Sequence, residues 1–141
     1  MSGFLLDTNV PSELVRPQPE SRVKAWVAAQ SHEELFMSAV SFGELRRGII
    51  LRAPGKRRTE LESWLETDMA GLFFGRILPV TKEIADRWGV LDATCQLRGK
   101  PANTIDAMIA ATAFEQGLTV VTRNVKDFAV LGVELINPWE S

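Results

Sequence analysis

Acidic and amide side chains lie near the starts of predicted elements along the chain, at Asp7, Glu44, Asp106, Asn124 and Asp127. Residues 3–6 form an apolar strand that runs directly into Asp7. In a parallel sheet the carboxyl ends of all strands lie at one edge, where open α/β folds gather their chemistry. Asp7, Glu44 and Asn124 each follow a predicted strand, so we expect them to lie together at that edge. Asp106 follows a helix and joins them only if its own helix begins there.

A group of oxygen ligands of this kind predicts a divalent metal site. Clustered carboxylates repel one another and lose hydration, so their pKa values rise unless cations hold them together. Mg²⁺ and Mn²⁺ prefer oxygen ligands, and Mg²⁺ keeps several waters. Such a site supports metal-assisted hydrolysis of a phosphodiester, in which the metal lowers the pKa of a bound water and neutralises charge on the leaving oxygen.

Helix capping explains several of these residues without any chemistry. Three polar residues each precede an acid by three positions: Ser41 precedes Glu44, Asn103 precedes Asp106, and Asn124 precedes Asp127. This is the spacing of a capping box or of a cap followed by an acid in the first helical turn. The helix macrodipole favours acids there whatever the protein does. Asp7 is the one acid of the group that no capping pattern explains.

Histidine and cysteine are too rare to provide other hydrolytic sites. The chain has one cysteine, Cys95, and one histidine, His32. A disulfide within the chain is therefore excluded, and so is a zinc site that needs several thiolates or imidazoles. A nucleophile activated by histidine would have to use His32, which lies in a polar stretch that indicates a loop. We therefore expect any hydrolytic chemistry to depend on carboxylates.

Short apolar runs alternate with amphipathic stretches, a pattern typical of α/β proteins. Predicted strands occupy residues 3–6, 35–40, 77–80, 118–122 and 133–136, and predicted helices occupy residues 12–15, 20–29, 42–52, 57–73, 82–98 and 105–115. A length of 141 residues suits one domain, and nothing indicates a second. We predict a single α/β domain over residues 1–141, with four or five short parallel strands flanked by helices.

Charge is distributed unevenly, although the formal net charge is only -2. Six basic residues and no acid lie between Leu45 and Thr59. They form either a solvated helix face and loop or a patch that contacts phosphates. No apolar run approaches the roughly 20 residues of a membrane span. The N-terminus lacks the pattern of a signal peptide, so we expect a cytoplasmic location without membrane association.

Four motifs, in order, resemble those of the PIN-domain ribonucleases. They are LLDTN at residues 5–9, SAVSFGEL at 38–45, DAMIAATA at 106–113 and TRNVKDF at 122–128, and NPW follows at 137–139. The resemblance covers essentially the whole chain and is greatest to the VapC toxins, in particular their FitB-like branch. It implies a PIN fold with a parallel sheet of about five strands and helices on both faces. It also implies Mg²⁺- or Mn²⁺-dependent endoribonuclease activity.

The same resemblance implies which residues form the site. Asp7, Glu44 and Asp106 match the three central acids of the family. Asn124 falls where many members carry a fourth acid, and its neutral amide contributes no charge. Asp127 is therefore a further candidate ligand. We expect one firmly held metal at Asp7.

Residues around the predicted site are candidates for substrate contacts. Thr8 and Ser41 can hydrogen-bond the acids or metal-bound waters, or can simply cap helices. Arg46 and Arg47 are the members of the basic segment nearest Glu44 in sequence, and either RNA or an antitoxin can contact them. The resemblance further implies a homodimeric toxin bound by a small VapB-like antitoxin, which occludes the active site with a C-terminal segment and binds operator DNA through its N-terminal domain.

Two alternatives stay open from the residues alone. A strand that ends in Asp-x-Asp is the nucleophile loop of haloacid-dehalogenase-like phosphatases, but Asn9 takes the place of the second acid and cannot transfer its proton. The other alternative is a PIN-like domain that has lost catalysis and only binds RNA or a partner. The presence of all three central acids disfavours that alternative.

Overall fold

A computed structural model describes residues 3–140, and in this part of the chain five parallel strands form one sheet in the order β3-β2-β1-β4-β5. The strands are β1 (Phe4–Leu6), β2 (Leu35–Ser38), β3 (Ile77–Leu78), β4 (Thr119–Val121) and β5 (Leu135–Ile136). The helices are α1 (Asn9–Leu14), α2 (Ser21–Ala28), α3 (Ala39–Ile50), α4 (Lys56–Ser63), α5 (Ala70–Leu72), α6 (Lys82–Leu97), α7 (Thr104–Gln116) and α8 (Val125–Ala129). The predicted α/β class and parallel sheet are confirmed.

Each face of the sheet packs against its own set of helices. Leu5 and Val120 are fully buried on one face, in a cluster with apolar side chains of α6, α7 and α8. Leu6 and Val121, the next residues of the same strands, are buried on the other face against α1, α2, α3 and α4. Successive side chains of a strand point to opposite faces, so the unbroken apolar run of β1 contributes side chains to two hydrophobic cores, one on each face of the sheet. Helices on both faces are confirmed.

The central pair of strands fixes the position of the carboxyl edge. Leu6 of β1 is in register with Val121 of β4. The ladder continues one step further, because the Asp7 N–H donates to the Val121 carbonyl at 2.9 Å. Asp7 and Thr122 are therefore the first residues beyond the ends of two adjacent strands at the middle of the sheet.

The prediction for the segment between β2 and α3 is wrong in one respect that matters for the site. The strand ends at Ser38, and the Ser38 hydroxyl caps α3 by accepting from the Val40 N–H at 3.1 Å. The predicted capping box of Ser41 and Glu44 is absent because Ser38, the last residue of the strand, takes the capping position. Ser41 instead lies in the first turn, fully buried. Glu44 lies in the second turn and has no capping role.

Most other elements agree with the sequence patterns except at their ends, and α8 is a short helix that is not among the predicted ones. Asn103 caps α7 as predicted, its side-chain oxygen accepting from the N–H groups of Ile105 at 2.9 Å and Asp106 at 3.1 Å. The predicted long helix over 57–73 is present as α4, a π-helical stretch Trp64–Met69 and α5. Within the described residues, no helix combines the length and apolar character needed to cross a membrane.

Candidate active site

Asp7 is held in one orientation at the carboxyl edge of the sheet. Its side chain is only 4% exposed. The Thr122 hydroxyl donates to Asp7 Oδ2 at 2.7 Å, and the Thr8 N–H donates to Oδ1 at 2.8 Å. Both carboxylate oxygens therefore have a donor, which compensates part of the free energy lost when the group leaves water.

Glu44 reaches the same edge from α3. The Thr8 hydroxyl donates to Glu44 Oε1 at 2.5 Å. Thr8 therefore contacts two carboxylates, Asp7 through its backbone and Glu44 through its side chain. One residue at the end of β1 thus links an acid of the central strand to an acid of the second turn of α3.

Asp106 and Asp127 lie close enough to these two acids for their charges to interact. Burial, together with the charges of Asp7, Asp127 and Glu44, raises the pKa of Asp106 to about 6. Burial also raises the pKa of Asp7, partly offset by the hydrogen bonds from Thr122 and Thr8, and the charges of Glu44 and Asp127 raise it further. The helix α7 therefore begins at the edge where β1 ends. The four acids Asp7, Glu44, Asp106 and Asp127 form a cluster whose charges repel one another.

The donors of this cluster fit a hard divalent cation. Among residues 3–140, no three His, Cys, Asp or Glu side chains are arranged as ready ligands of one metal ion. Mg²⁺ does not require such a cage, because it is usually bound by one or two carboxylates and keeps several waters. Asn9 adds a neutral acceptor beside Asp7, since its buried Oδ1 has no hydrogen-bond partner within the described residues. A cation would offset the mutual repulsion that adds to the effect of burial on the pKa values of Asp7 and Asp106.

Thr122 is a site residue that the sequence analysis missed. Its hydroxyl donates to Asp7 and accepts from the Asn124 N–H at 3.0 Å, and Asn9 Nδ2 lies 3.4 Å away. Thr122 belongs to the TRNVKDF motif, but its contact with Asp7 follows from the pairing of β1 with β4, which the sequence does not reveal. Asn124 stands at the N-cap of α8, yet its side chain makes no capping hydrogen bond.

Within the described residues, Ser41 has no hydrogen bond to the acids that it was predicted to contact, and the predicted RNA or antitoxin contacts of Arg46 and Arg47 stay predictions. The Ser41 hydroxyl is fully buried and has no hydrogen-bond partner in the part of the chain that the structure describes. Arg46 forms an ion pair with Glu66 at 2.9 Å. Arg47 is exposed and, within residues 3–140, forms no ion pair. Thr8 differs from them, because it hydrogen-bonds both Asp7 and Glu44.

Comparison with known protein families agrees with an acidic site at the carboxyl edge of a five-stranded parallel sheet, and the match covers most of the chain. Residues 4–133 match the PIN domain, and the chain belongs to this family. It is 41% identical to the toxin FitB of Neisseria gonorrhoeae over 136 residues, 96% of this chain and 98% of FitB. It is 40% identical to the VapC ribonuclease Y4jK of Sinorhizobium fredii over 137 residues, 97% of this chain and 98% of Y4jK.

Solved structures agree with this assignment. The crystal structure of FitAcB from Neisseria gonorrhoeae contains a chain that matches with a TM-score of 0.92 and 40% identity, covering 98% of this chain and 99% of that one. The structure of FitAB bound to an IR36 DNA fragment matches with a TM-score of 0.91 and 38% identity, covering 98% and 96%. The predicted resemblance to PIN, VapC and FitB proteins is confirmed, which leaves the haloacid-dehalogenase-like phosphatase without support.

Proposed function

We propose that this chain is an endoribonuclease that hydrolyses phosphodiester bonds of RNA with a bound Mg²⁺ or Mn²⁺. The observation that carries the proposal is the gathering of Asp7, Glu44 and Asp106 at one edge, because these acids come from three different elements and a bound cation would offset their mutual repulsion. The name of the ribonuclease Y4jK, a relative of nearly equal length, supports RNA as the substrate.

Some residues of the site would hold the cation, and others would orient the carboxylates that hold it. Asp7, Glu44 and Asp106 would hold it, with Asn124 and Asp127 as further candidate ligands. Thr8 and Thr122 keep the carboxylates of Asp7 and Glu44 directed, by the hydrogen bonds described above. A bound cation would lower the pKa of a water and neutralise charge on the leaving oxygen. Hydrolysis would form a bond from the water oxygen to phosphorus, break the bond from phosphorus to the leaving ribose oxygen, and transfer a proton of that water to the leaving oxygen.

Cleavage of RNA by the purified chain tests this proposal. We expect cleavage with Mg²⁺ or Mn²⁺ and none with EDTA. The substitutions Asp7→Asn and Asp106→Asn should abolish cleavage while circular dichroism shows a folded protein. Asp86→Asn, which removes an exposed acid of α6, is the matched control and should cleave normally. Full activity of Asp7→Asn would overturn the site, and RNA binding without cleavage by the unsubstituted chain would favour the catalytically inactive alternative.

We further propose that the chain is the cytoplasmic toxin of a toxin–antitoxin pair. FitB is named as a toxin, and the two similar solved structures are those of FitAcB and of FitAB bound to a DNA fragment. The partner expected here is a small VapB-like antitoxin that binds DNA, with two copies of this chain in the complex. It would occlude the acidic edge, the carboxyl edge of the sheet where Asp7, Glu44, Asp106 and Asp127 lie. Expression of the chain alone should arrest bacterial growth, and expression of Asp7→Asn should not.

The partner and assembly proposals have their own measurements. A gene for a small protein with a DNA-binding N-terminal part should lie next to the gene for this chain, and its product should copurify with the chain and stop RNA cleavage. Light scattering should give the mass of a homodimer. A monomer in solution would contradict the dimer, and active RNA cleavage without growth arrest would contradict the toxin role but not the nuclease.

A further inference from the structure

A cleft begins at the acidic edge and runs along α3 toward basic side chains. It has a volume of about 240 Å³ and lies between α1, α3, α4 and the start of the π-helical stretch. Thr8 and Glu44, the hydrogen-bonded pair of the candidate active site, are part of its lining. Glu44, Gly48 and Arg52 follow one another at intervals of four residues, so they lie along one side of α3 and its C-terminal end. The cleft therefore connects the site of chemistry to Arg52.

The charge of this cleft differs from that of the site where it begins. Arg16, Arg52 and Arg57 line it, and Glu44 is the one acid among its lining residues. The Arg57 guanidinium donates to the Val15 carbonyl at 2.8 Å, which fixes its position between α1 and α4. Arg52 is exposed and, among residues 3–140, has no ion pair with an acid. Arg16 lies 3.4 Å from Glu13 and Arg57 lies 4.0 Å from Glu60, so the charges of these two are partly neutralised. An unpaired guanidinium at Arg52, beside one whose position is fixed at Arg57, suits a run of phosphates.

Gly48 leaves open space in this cleft. A glycine in the interior of a helix lowers its stability relative to alanine. A Cβ added at Gly48 would meet no atom within 4 Å, so no neighbour in the described structure requires a glycine there. Gly43 of the same helix is equally open but does not line the cleft. The distinctive property of Gly48 is thus its position between Glu44 and Arg52, where any side chain would narrow the passage.

We propose that the RNA strand leaves the acidic edge through this cleft, passing over Gly48, and that Arg52 and Arg57 bind the phosphates that follow the reacting one. The inference rests on the proposed endoribonuclease function and names the path of its substrate. Arg52 and Arg57 take the place of Arg46 and Arg47 as the expected phosphate contacts. Arg46 and Arg47 are the basic residues nearest Glu44 in sequence, but neither of them lines the cleft. Arg52 and Arg57 are positioning residues that hold the strand and do not touch the reacting atoms.

Binding of RNA without a metal separates this inference from the nuclease proposal. The probe is a fluorescein-labelled single-stranded RNA of mixed sequence, and its anisotropy is measured in EDTA at several salt concentrations. Arg52→Ala should weaken binding about tenfold and reduce the slope of log affinity against log salt by about 0.7, the value for one phosphate contact on a single strand. Arg98→Ala removes the same charge from an exposed position at the C-terminal end of α6, outside the cleft, and should leave both quantities unchanged.

Substitution of the glycine tests the path itself. Gly48→Leu should raise the Kd for the probe and the KM for RNA cleavage without changing the salt slope, because it blocks space without removing charge. Gly43→Leu is the matched control on the same helix, and thermal unfolding should show that all variants are folded. RNA binding by Gly48→Leu and Arg52→Ala equal to that of their controls would overturn the inference, even if the unsubstituted chain cleaves RNA. If the two cleft variants bind RNA as their controls do but no longer copurify with a partner protein, the cleft is the binding site of that partner.

Discussion

Replacement of Asp106 by asparagine should stabilise the protein and abolish RNA cleavage at the same time. The Asp106 carboxyl is partly buried beside Asp7, Glu44 and Asp127, and its pKa rises from 3.8 to about 6. The folded state therefore keeps a proton between these two pH values that the unfolded chain has already lost. The stability that this proton contributes is fully present below pH 3.8 and is lost as the pH rises through about 6.

The size of the effect follows from the same pKa difference. One pKa unit corresponds to about 1.4 kcal/mol, so the rise at Asp106 corresponds to at most about 3 kcal/mol in a fully dry site. Because the carboxyl is partly exposed, solvent screening reduces this figure to about 1–1.5 kcal/mol. Asparagine also loses about 0.5 kcal/mol of favourable interaction with the N-terminus of α7. Asp106→Asn should therefore gain about 0.5–1 kcal/mol at pH 7.5 without metal.

Denaturant unfolding in EDTA at pH 7.5 and at pH 4 measures this gain. The stabilisation of Asp106→Asn relative to the unsubstituted chain should be present at pH 7.5 and absent at pH 4, where the Asp106 carboxyl is protonated. Adding Mg²⁺ at pH 7.5 should stabilise the unsubstituted chain and not the variant. A loss of stability that is equal at both pH values would refute the reasoning, because it would show that Asp106 serves the fold and is not held against the repulsion of its neighbours.

Three further predictions follow from the same cluster. Cleavage at subsaturating Mn²⁺ should fall about tenfold per pH unit below pH 6, since Asp106 must lose its proton to bind a cation; a rate that is flat from pH 7 to pH 5 would contradict this. Thr122→Val removes the donor to Asp7 and should weaken Mn²⁺ binding about 10- to 100-fold. Thr122→Ser keeps the hydroxyl and should retain most of the affinity. Equal Mn²⁺ affinities of the two variants would show that the hydroxyl is unimportant. Ser41→Ala removes a buried hydroxyl without a partner among the described residues and should leave stability unchanged or raise it by about 1 kcal/mol; a large loss in thermal unfolding would reveal a contact that the structure does not contain.

The sequence predicted the elements that bring the acids together better than the contacts that hold them. The apolar run of residues 3–6 and its end at Asp7 identify a buried strand and an acid at its edge, since that pattern depends only on local order. The contact of Thr122 with Asp7 depends on the pairing of β1 with β4, two strands more than a hundred residues apart. Strand order is a property of the whole chain, so no local pattern reveals it.

The prediction for Glu44 shows a different limit. Ser38 and Ser41 both have a residue type that caps helices, and the pairing of Ser41 with Glu44 has the capping-box spacing. The structure gives the cap to Ser38 because β2 ends there, which leaves Glu44 free to face the cluster. The basic segment has a similar limit, because Arg46 is near Glu44 in sequence but pairs with Glu66 of a distant element. Which arginines line the cleft depends on how α1 and α4 pack against α3.

A crystal of this protein soaked in Mn²⁺ at pH 7.5 tests the central claim most directly. The anomalous difference map should show a peak at the acidic edge, within coordination distance of carboxylate oxygens of Asp7 and of at least one of Glu44 and Asp106, and Asp7→Asn crystals should lack it. A fully occupied Mn²⁺ site elsewhere in the chain, with none among these acids, would contradict the account.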